Sequence, residues 1–195
     1  MSNVKPHKPA AATVKVLPRT TPSLRLRRFV RADAAPIMAL NAEASTRRWL
    51  PSHVYSDLEG AWSTVAYLIS CYSAPGHPQR APYVLAVEHR ETGRLLGHVG
   101  FSPLGNDVEV SYAIGESFRG RGYGIEALVY ATDWLTESFT VSKVLALTSS
   151  ENVISRRLLE RASYVHLREE VMPFQGHEQL VSSYCWYVSG NRGGA

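Results

Sequence analysis

From residue 107 to residue 148 the hydrophobic pattern changes its period twice. Val108, Val110, Tyr112 and Ile114 alternate with Glu109, Ser111 and Ala113, as in a half-buried strand that carries Glu109 and Ser111 on one face. A glycine-rich break follows, and from Gly124 to about Glu137 the apolar residues Ile125, Leu128, Val129 and Leu135 take helical spacing. Val144-Leu145-Ala146-Leu147 is then a continuous apolar run, the mark of a strand buried on both faces in a parallel setting. Strand (107–115), helix (124–137) and strand (143–148) form a right-handed crossover, so the two strands run parallel.

The remaining pattern is antiparallel. Leu24 to Val30 alternates as a strand, and Ala32 to about Ala44 has helical spacing through Ile37, Leu40 and Asn41, broken at Trp49-Leu50-Pro51-Ser52. A second helix starts at an N-cap near Ser56-Asp57, reinforced by Glu59, and runs to about Tyr72. Tyr83 to Glu88 and Leu95 to Phe101 read as a hairpin turning near Thr92-Gly93, and Leu104-Gly105-Asn106-Asp107 turns into the strand described above. Asn152 to Ala162 is a helix with Ile154, Leu158, Leu159 and Ala162 on one side, and strands at about 164–172 and 180–188 close the chain. The expected class is α+β, with a mixed, mostly antiparallel sheet flanked by helices.

The charge balance locates the basicity. Lys5, Lys8, Lys15 and Arg19 fall within residues 1–22 with no acid, leaving 17 Lys+Arg against 17 Asp+Glu in the rest. The expected organisation is a disordered basic tail (1–22), one folded domain (23–188) and a flexible end (189–195). A neutral folded part argues against a specific nucleic-acid partner. No window has the roughly 18 apolar residues of a membrane span, and the start of the chain lacks a signal-peptide apolar run, so a cytoplasmic protein is expected. Cys71 and Cys185 stand in no metal or redox spacing, the seven histidines form no cluster, and His98 reads as structural; no metal site is expected.

The chemistry points to Arg119-Gly120-Arg121-Gly122-Tyr123-Gly124, which joins a strand end to a helix N-terminus. Unpaired first-turn amides and the positive end of the helix dipole meet there. The three glycines let the backbone approach a ligand and permit positive φ, and Arg119 and Arg121 add charge-assisted contacts. That is a diphosphate site. The glycine spacing fits neither G-x-G-x-x-G nor a P-loop, which needs a lysine absent here; a plain tight turn and a single RGG-type segment are the other readings of the loop alone.

Arg119-x-x-Gly122-x-Gly124 resembles the Q/R-x-x-G-x-G/A pyrophosphate motif of the GNAT (general N-acetyltransferase) superfamily, and residues 152–164 resemble its second cofactor segment, N-x-x-S-x-x-L-L-E-K-x-G-F, with Ser163 and Tyr164 in place of Gly and Phe. Leu24 to Asp33 resembles the opening of the ribosomal-protein-alanine N-acetyltransferase branch, and the likeness spans about 23–188. The resemblance implies a GNAT-like fold whose parallel pair splays around acetyl-coenzyme A, the acetyl donor. It assigns the pyrophosphate to Arg119, Gly120, Arg121, Gly122, Tyr123 and Gly124, and the pantetheine arm to Tyr112, Ala113 and Ile114 as an added strand, with Asn152 and Ser155 beside it. It leaves room for a homodimer.

The catalytic candidates follow. Acetylation needs a neutral amine, and Glu109 is the candidate base, or else an exposed strand carboxylate or a substrate anchor. The leaving thiol has a pKa of about 8.5 and needs no strong acid; Ser155 is placed to hydrogen-bond it, with Tyr164 the alternative. A backbone N–H near Tyr112 is the candidate for the oxyanion. The expected acceptor is a peptide or protein N-terminal α-amine, contacted from the Arg47 to Cys71 region and the 164–180 loops. The competing readings are a small-molecule amine or antibiotic acetyltransferase and a non-catalytic acyl-coenzyme A sensor.

Overall fold

A computed structural model describes residues 17–74 and 76–188. Eight strands form one sheet: β1 (Arg19–Thr20), β2 (Leu24–Arg28), β3 (Tyr83–His89), β4 (Leu95–Leu104), β5 (Asp107–Ile114), β6 (Lys143–Ser149), β7 (Val165–Phe174) and β8 (His177–Tyr187). They lie in the order β1-β2-β3-β4-β5-β6-β8-β7, and every neighbouring pair is antiparallel except β5 and β6. The helices are α1 (Ala34–Asn41), α2 (Ala44–Trp49), α3 (Leu58–Cys71), α4 (Tyr123–Ser138) and α5 (Val153–Arg161). This is the expected α+β architecture with its one parallel pair. No helix among the described residues is long and apolar enough to cross a membrane.

Strand alternation sends two apolar sets to opposite faces of the sheet. On one face Leu24, Leu26, Leu85, Val87, Val99, Phe101 and Val110 pack against Leu128, Ala131, Trp134 and Leu135 of α4. On the other, Phe29, Ala86 and Leu95 pack against Ile37 of α1 and Val65 of α3. Buried cations on that second face are paired: Arg27 donates to Asp33 Oδ1 and Oδ2 (2.8 and 2.7 Å) and to Glu88 Oε2 (2.6 Å), and the bonds to Asp33 raise its pKa. Asp33 also accepts from the Val30 amide at 2.8 Å, which turns the chain from β2 into α1.

Several boundaries depart from the sequence pattern. The helix expected over 32–44 is α1, and a further helix, α2, follows it before the break at 49–52, because Glu43 leaves helical dihedrals (φ −65°, ψ 151°) and its carboxylate accepts from the Glu116 amide at 2.7 Å. The α3 start is as expected, with Asp57 Oδ1 accepting from the Gly60 amide at 2.8 Å. β6 is parallel only to β5; its other edge pairs antiparallel with β8, and Leu145 and Leu147 are only half-buried, so it is not the doubly buried parallel strand its composition suggested. In α5 the expected apolar side keeps Leu158, Leu159 and Ala162, but Ile154 is 73% exposed. Ser163, where glycine is usual, takes the left-handed conformation (φ 65°) that ends α5. The tail expected over 1–22 lies outside the described residues for 1–16. Residues 19–20 instead form β1, with Arg19 paired to Glu137 at 2.7 Å and Thr21 buried against Glu126. The expected C-terminal end, 189–195, also lies outside the described residues.

The Arg27 cluster yields the first expectation. Asp33→Ala leaves a largely buried guanidinium short of its bidentate partner and frees the Val30 amide. It should cost about 3 kcal/mol, read as a Tm lowered by roughly 6–12 °C, with the cleft described below intact. A Tm within 2 °C of the parent would show that Glu88 alone neutralises Arg27.

Candidate active site

β5 and β6 are paired only at Val108–Val144 and Glu109–Leu145. Beyond that point they part, and a cleft of about 850 Å³ opens between them, within the range of small-molecule sites. Its walls are β5 from Glu109 to Ile114, β6 from Ala146 to Ser149, the glycine loop, and the first turns of α5. The Tyr112 side chain reaches across the gap: its Oη lies 2.8 Å from Ser155 Oγ and donates to the Ser155 carbonyl at 3.3 Å. Thus Tyr112, Ala113, Ile114, Asn152 and Ser155, expected along one arm of a ligand, do line one cleft with Glu109.

The loop explains its glycines unevenly. Gly120 and Gly122 have φ of 74° and 85°, and a Cβ on either would meet nothing within 4 Å, so conformation alone requires glycine there. Gly124 differs: a Cβ would lie 2.8 Å from Leu158 Cδ1, so a larger residue there would push the end of the Leu158 side chain aside where α4 meets α5. Helix α4 starts with no side-chain cap, and its first backbone bond is Glu126 N–H to the Gly122 carbonyl at 3.1 Å. The amides of Tyr123, Gly124 and Ile125 therefore have no partner within the helix, at the positive end of a 16-residue dipole. The two arginines behave otherwise than expected. Arg119 lines the cleft but donates to the Ile114 carbonyl (2.8 Å) and to Ser45 Oγ (2.5 Å), which pins the loop. Arg121 is exposed and does not line the cleft. Its place is taken by Arg157 and Arg161, four residues apart on one face of α5. The Arg-rich helix sequence was the signal for them.

Glu109 faces the cleft half-buried. Burial pushes its carboxyl up to about 7, against the pull of a hydrogen bond from the Leu147 backbone. Burial likewise raises the Tyr112 hydroxyl to about 12, so it stays a neutral hydrogen-bonding group. Asn152 Oδ1 accepts from the Ser155 amide at 3.1 Å, the helix-cap role, while its side chain also borders the cleft. Tyr164 is removed from the thiol-facing candidates: it is buried, and its hydroxyl pairs with Thr132 Oγ1 at 2.8 Å. His98 is buried in the sheet, and no group of metal-ligating residues occurs among the described residues.

The rest of the cleft lining comes from Ser45, Thr46, Trp49, Leu50 and His53 in and after α2 and from Phe174 and Gln175 at the β7–β8 turn. Ser52 Oγ donates to Gln175 Oε1 at 3.2 Å and joins the two rims. Of the 47–71 region only Trp49, Leu50 and His53 reach the cleft; α3 does not.

Against known proteins, the profile of the acetyltransferase (GNAT) domain matches residues 23–165. The uncharacterized N-acetyltransferase p20 of Bacillus licheniformis is 22% identical over 147 residues, 74% of this chain and 80% of that protein. Among solved structures, the ribosomal L7/L12 alpha-N-protein acetyltransferase in complex with coenzyme A superposes with a TM-score of 0.75 at 14% identity, over 89% of this chain and 99% of that one. The ribosomal-protein-S5-alanine acetyltransferase of Vibrio fischeri gives 0.74 at 14% identity, over 90% and 98%. At these identities the structural likeness is one of fold.

Gly122→Val tests the loop. The left-handed φ of 85° strains any branched side chain, and the new methyls would occupy the open side of the loop. A hundredfold excess of coenzyme A over its Kd stabilises a protein that binds it by about 2.7 kcal/mol. The parent should show the corresponding rise in Tm and the variant should not, with circular dichroism unchanged. A folded variant that keeps the shift would take the diphosphate away from this loop.

Proposed function

Because the chain belongs to the acetyltransferase (GNAT) family, we propose that it moves the acetyl group of acetyl-coenzyme A to a primary amine, and that the amine is the α-amine of a peptide or protein N-terminus. The family makes it an acetyl-coenzyme A-dependent enzyme. The donor supplies an activated acetyl thioester; the chain's own residues must bind it, orient it and move a proton. The open left-handed loop and uncapped helix end fit a diphosphate, held by the amides of about 120–125, with Arg157 and Arg161 as the nearby free cations. The Tyr112–Ser155 hydroxyl pair can hydrogen-bond a departing thiolate.

The observation that carries the acceptor class is that the described lining of the cleft offers one carboxylate, Glu109, half-buried and pushed up to about 7, to take the amine's proton. An α-amine has a pKa of about 7.7–8.0, so proton transfer to Glu109 costs about 1 kcal/mol; from a lysine at about 10.4 it costs about 4.6 kcal/mol. A polycationic antibiotic fits less well, because Glu109 is the only carboxylate among the described residues that line the cleft. The ribosomal L7/L12 alpha-N-protein acetyltransferase, of the same fold, agrees in direction. The test is a competition between an N-terminally free peptide with blocked lysines and an N-acetylated peptide with free lysines, read by released thiol. Preference for the second, or for an aminoglycoside, would overturn the acceptor assignment. No thiol release with any amine would leave an acyl-coenzyme A sensor.

Glu109 also sets the pH response. The base works ionised and takes its proton from the ammonium form of the amine, so kcat/KM should fall about tenfold per unit below pH 7 and fall again above about pH 8, where the free amine loses that proton. Glu109→Gln should lower turnover by about 10²-fold and abolish the lower inflection. The stability effect has the opposite sign. A carboxyl raised in the fold is disfavoured once ionised, so the penalty is absent below about 4.5 and full above about 7. The Gln variant should therefore melt higher than the parent at pH 8 and no higher at pH 4. A lower inflection that survives in the variant would assign the proton to another group.

A further inference from the structure

The face of the sheet that bears Glu109 carries a row of polar side chains. On β4, Ser102 is opposite Glu109 and His98 is opposite Ala113, and cross-strand partners share a face. Glu109, Ser111, Ser102 and His98 therefore stand on one side, with Glu109 and Ala113 separated by about 13 Å of strand. His53 closes over the far end of this row. Its ring centre is 5.2 Å from that of His98, tilted by 34°, and it borders the same cleft as Glu109. The turn that carries it is fixed from below, where Asn41 Nδ2 donates to the His53 carbonyl at 3.0 Å.

Two features are hard to explain by packing alone. His98 Nε2 is fully buried and has no hydrogen-bond partner among the described residues, which costs about 1–3 kcal/mol relative to an apolar ring of that shape. Burial also lowers the pKa of both imidazoles, that of His98 to about 3, so both are neutral at pH 7. A neutral imidazole has one donor and one acceptor nitrogen. That matches a peptide amide, which also offers one of each, and not a second ammonium group.

We propose that His53, backed by His98, is a subsite for the backbone of the acceptor peptide, hydrogen-bonding an amide within the first three or four residues beyond the reacting amine. The span from Glu109 fixes that count, since an extended chain advances about 3.3–3.6 Å per residue. Trp49, Leu50 and Phe174 supply the apolar walls around it, and the Ser52–Gln175 bridge limits the opening. His53 is a positioning residue here; the proton goes to Glu109. The inference rests on the α-amine reading above.

The experiment compares two acceptors that share a first residue: a single amino-acid amide and an N-terminally free tetrapeptide. His53→Phe keeps the ring and its stacking and removes both nitrogens. It should raise KM for the tetrapeptide about tenfold, the worth of one neutral hydrogen bond. kcat, KM for the amino-acid amide and the Tm shift given by coenzyme A should stay within about twofold or unchanged. His53→Gln, which restores a donor and an acceptor, should recover part of the loss and serves alone if the Phe variant does not fold. Calorimetry of the tetrapeptide on the coenzyme A complex should show the same loss without turnover. Equal effects on both acceptors, or none on either, would return the pair to packing. A parent enzyme that acetylates other amines but neither of these acceptors would overturn the α-amine reading first, and this subsite with it.

Discussion

Strands β5 and β6 share only two residue pairs, and the consequences of their parting organise the molecule. Each has a complete antiparallel partner on its other side, β4 for β5 and β8 for β6, so the sheet stays continuous while its centre opens. Beyond Glu109, β5 turns one edge to the gap, and unpaired backbone groups need some partner. Helix α5 covers part of the gap through the Tyr112–Ser155 contact, and Gly124 leaves room for the end of the Leu158 side chain where α4 meets α5. A β5–β6 ladder continued to Ile114 would erase the cleft.

Two walls of the cleft, α2 and the glycine loop, are mechanically joined. Glu43 accepts from the Glu116 amide at 2.7 Å, Glu116 Oε1 accepts from the Ser45 amide at 2.9 Å, and Arg119 reaches Ser45 Oγ. These bonds tie the start of α2, which carries Thr46 and Trp49 into the cleft, to the glycine loop. Arg119 is thus occupied in holding the start of that loop to the end of β5 and to α2, and the arginines of α5 that line the cleft, Arg157 and Arg161, make no ion pair among the described residues.

The parts of this arrangement that were readable in the sequence are local. Asp57 and Asn152 announce their helices because a cap is a bond across three residues, and the strand–loop–helix of 107–138 rests on periodicity and on two left-handed glycines. What escaped is tertiary. The break at Glu43 depends on the Glu116 amide, the exposure of Ile154 on the rim of a cleft, and the role of Arg119 on a serine 74 positions away. Nothing around His53 distinguishes it in the sequence, since its setting comes from a histidine on another strand. The short β1 escaped for a related reason: two residues have no period, and Arg19 is ordered by Glu137 of α4.

Charge is segregated along the cleft, and the chemistry depends on that segregation. Arg119, Arg157 and Arg161 line the cleft together with the positive end of α4. No charged neighbour acts appreciably on Glu109; burial alone raises it. A guanidinium beside it would favour the carboxylate, drop its pKa towards the ordinary range and make it a poorer proton acceptor for an α-ammonium. A second carboxylate would push the pKa higher still and draw polycations into the site. Neutral surroundings, with Ser102 and Ser111 beside it and uncharged imidazoles farther along, keep one carboxyl near neutrality. The fold carries the cost of holding that carboxyl buried with no charged partner to offset it.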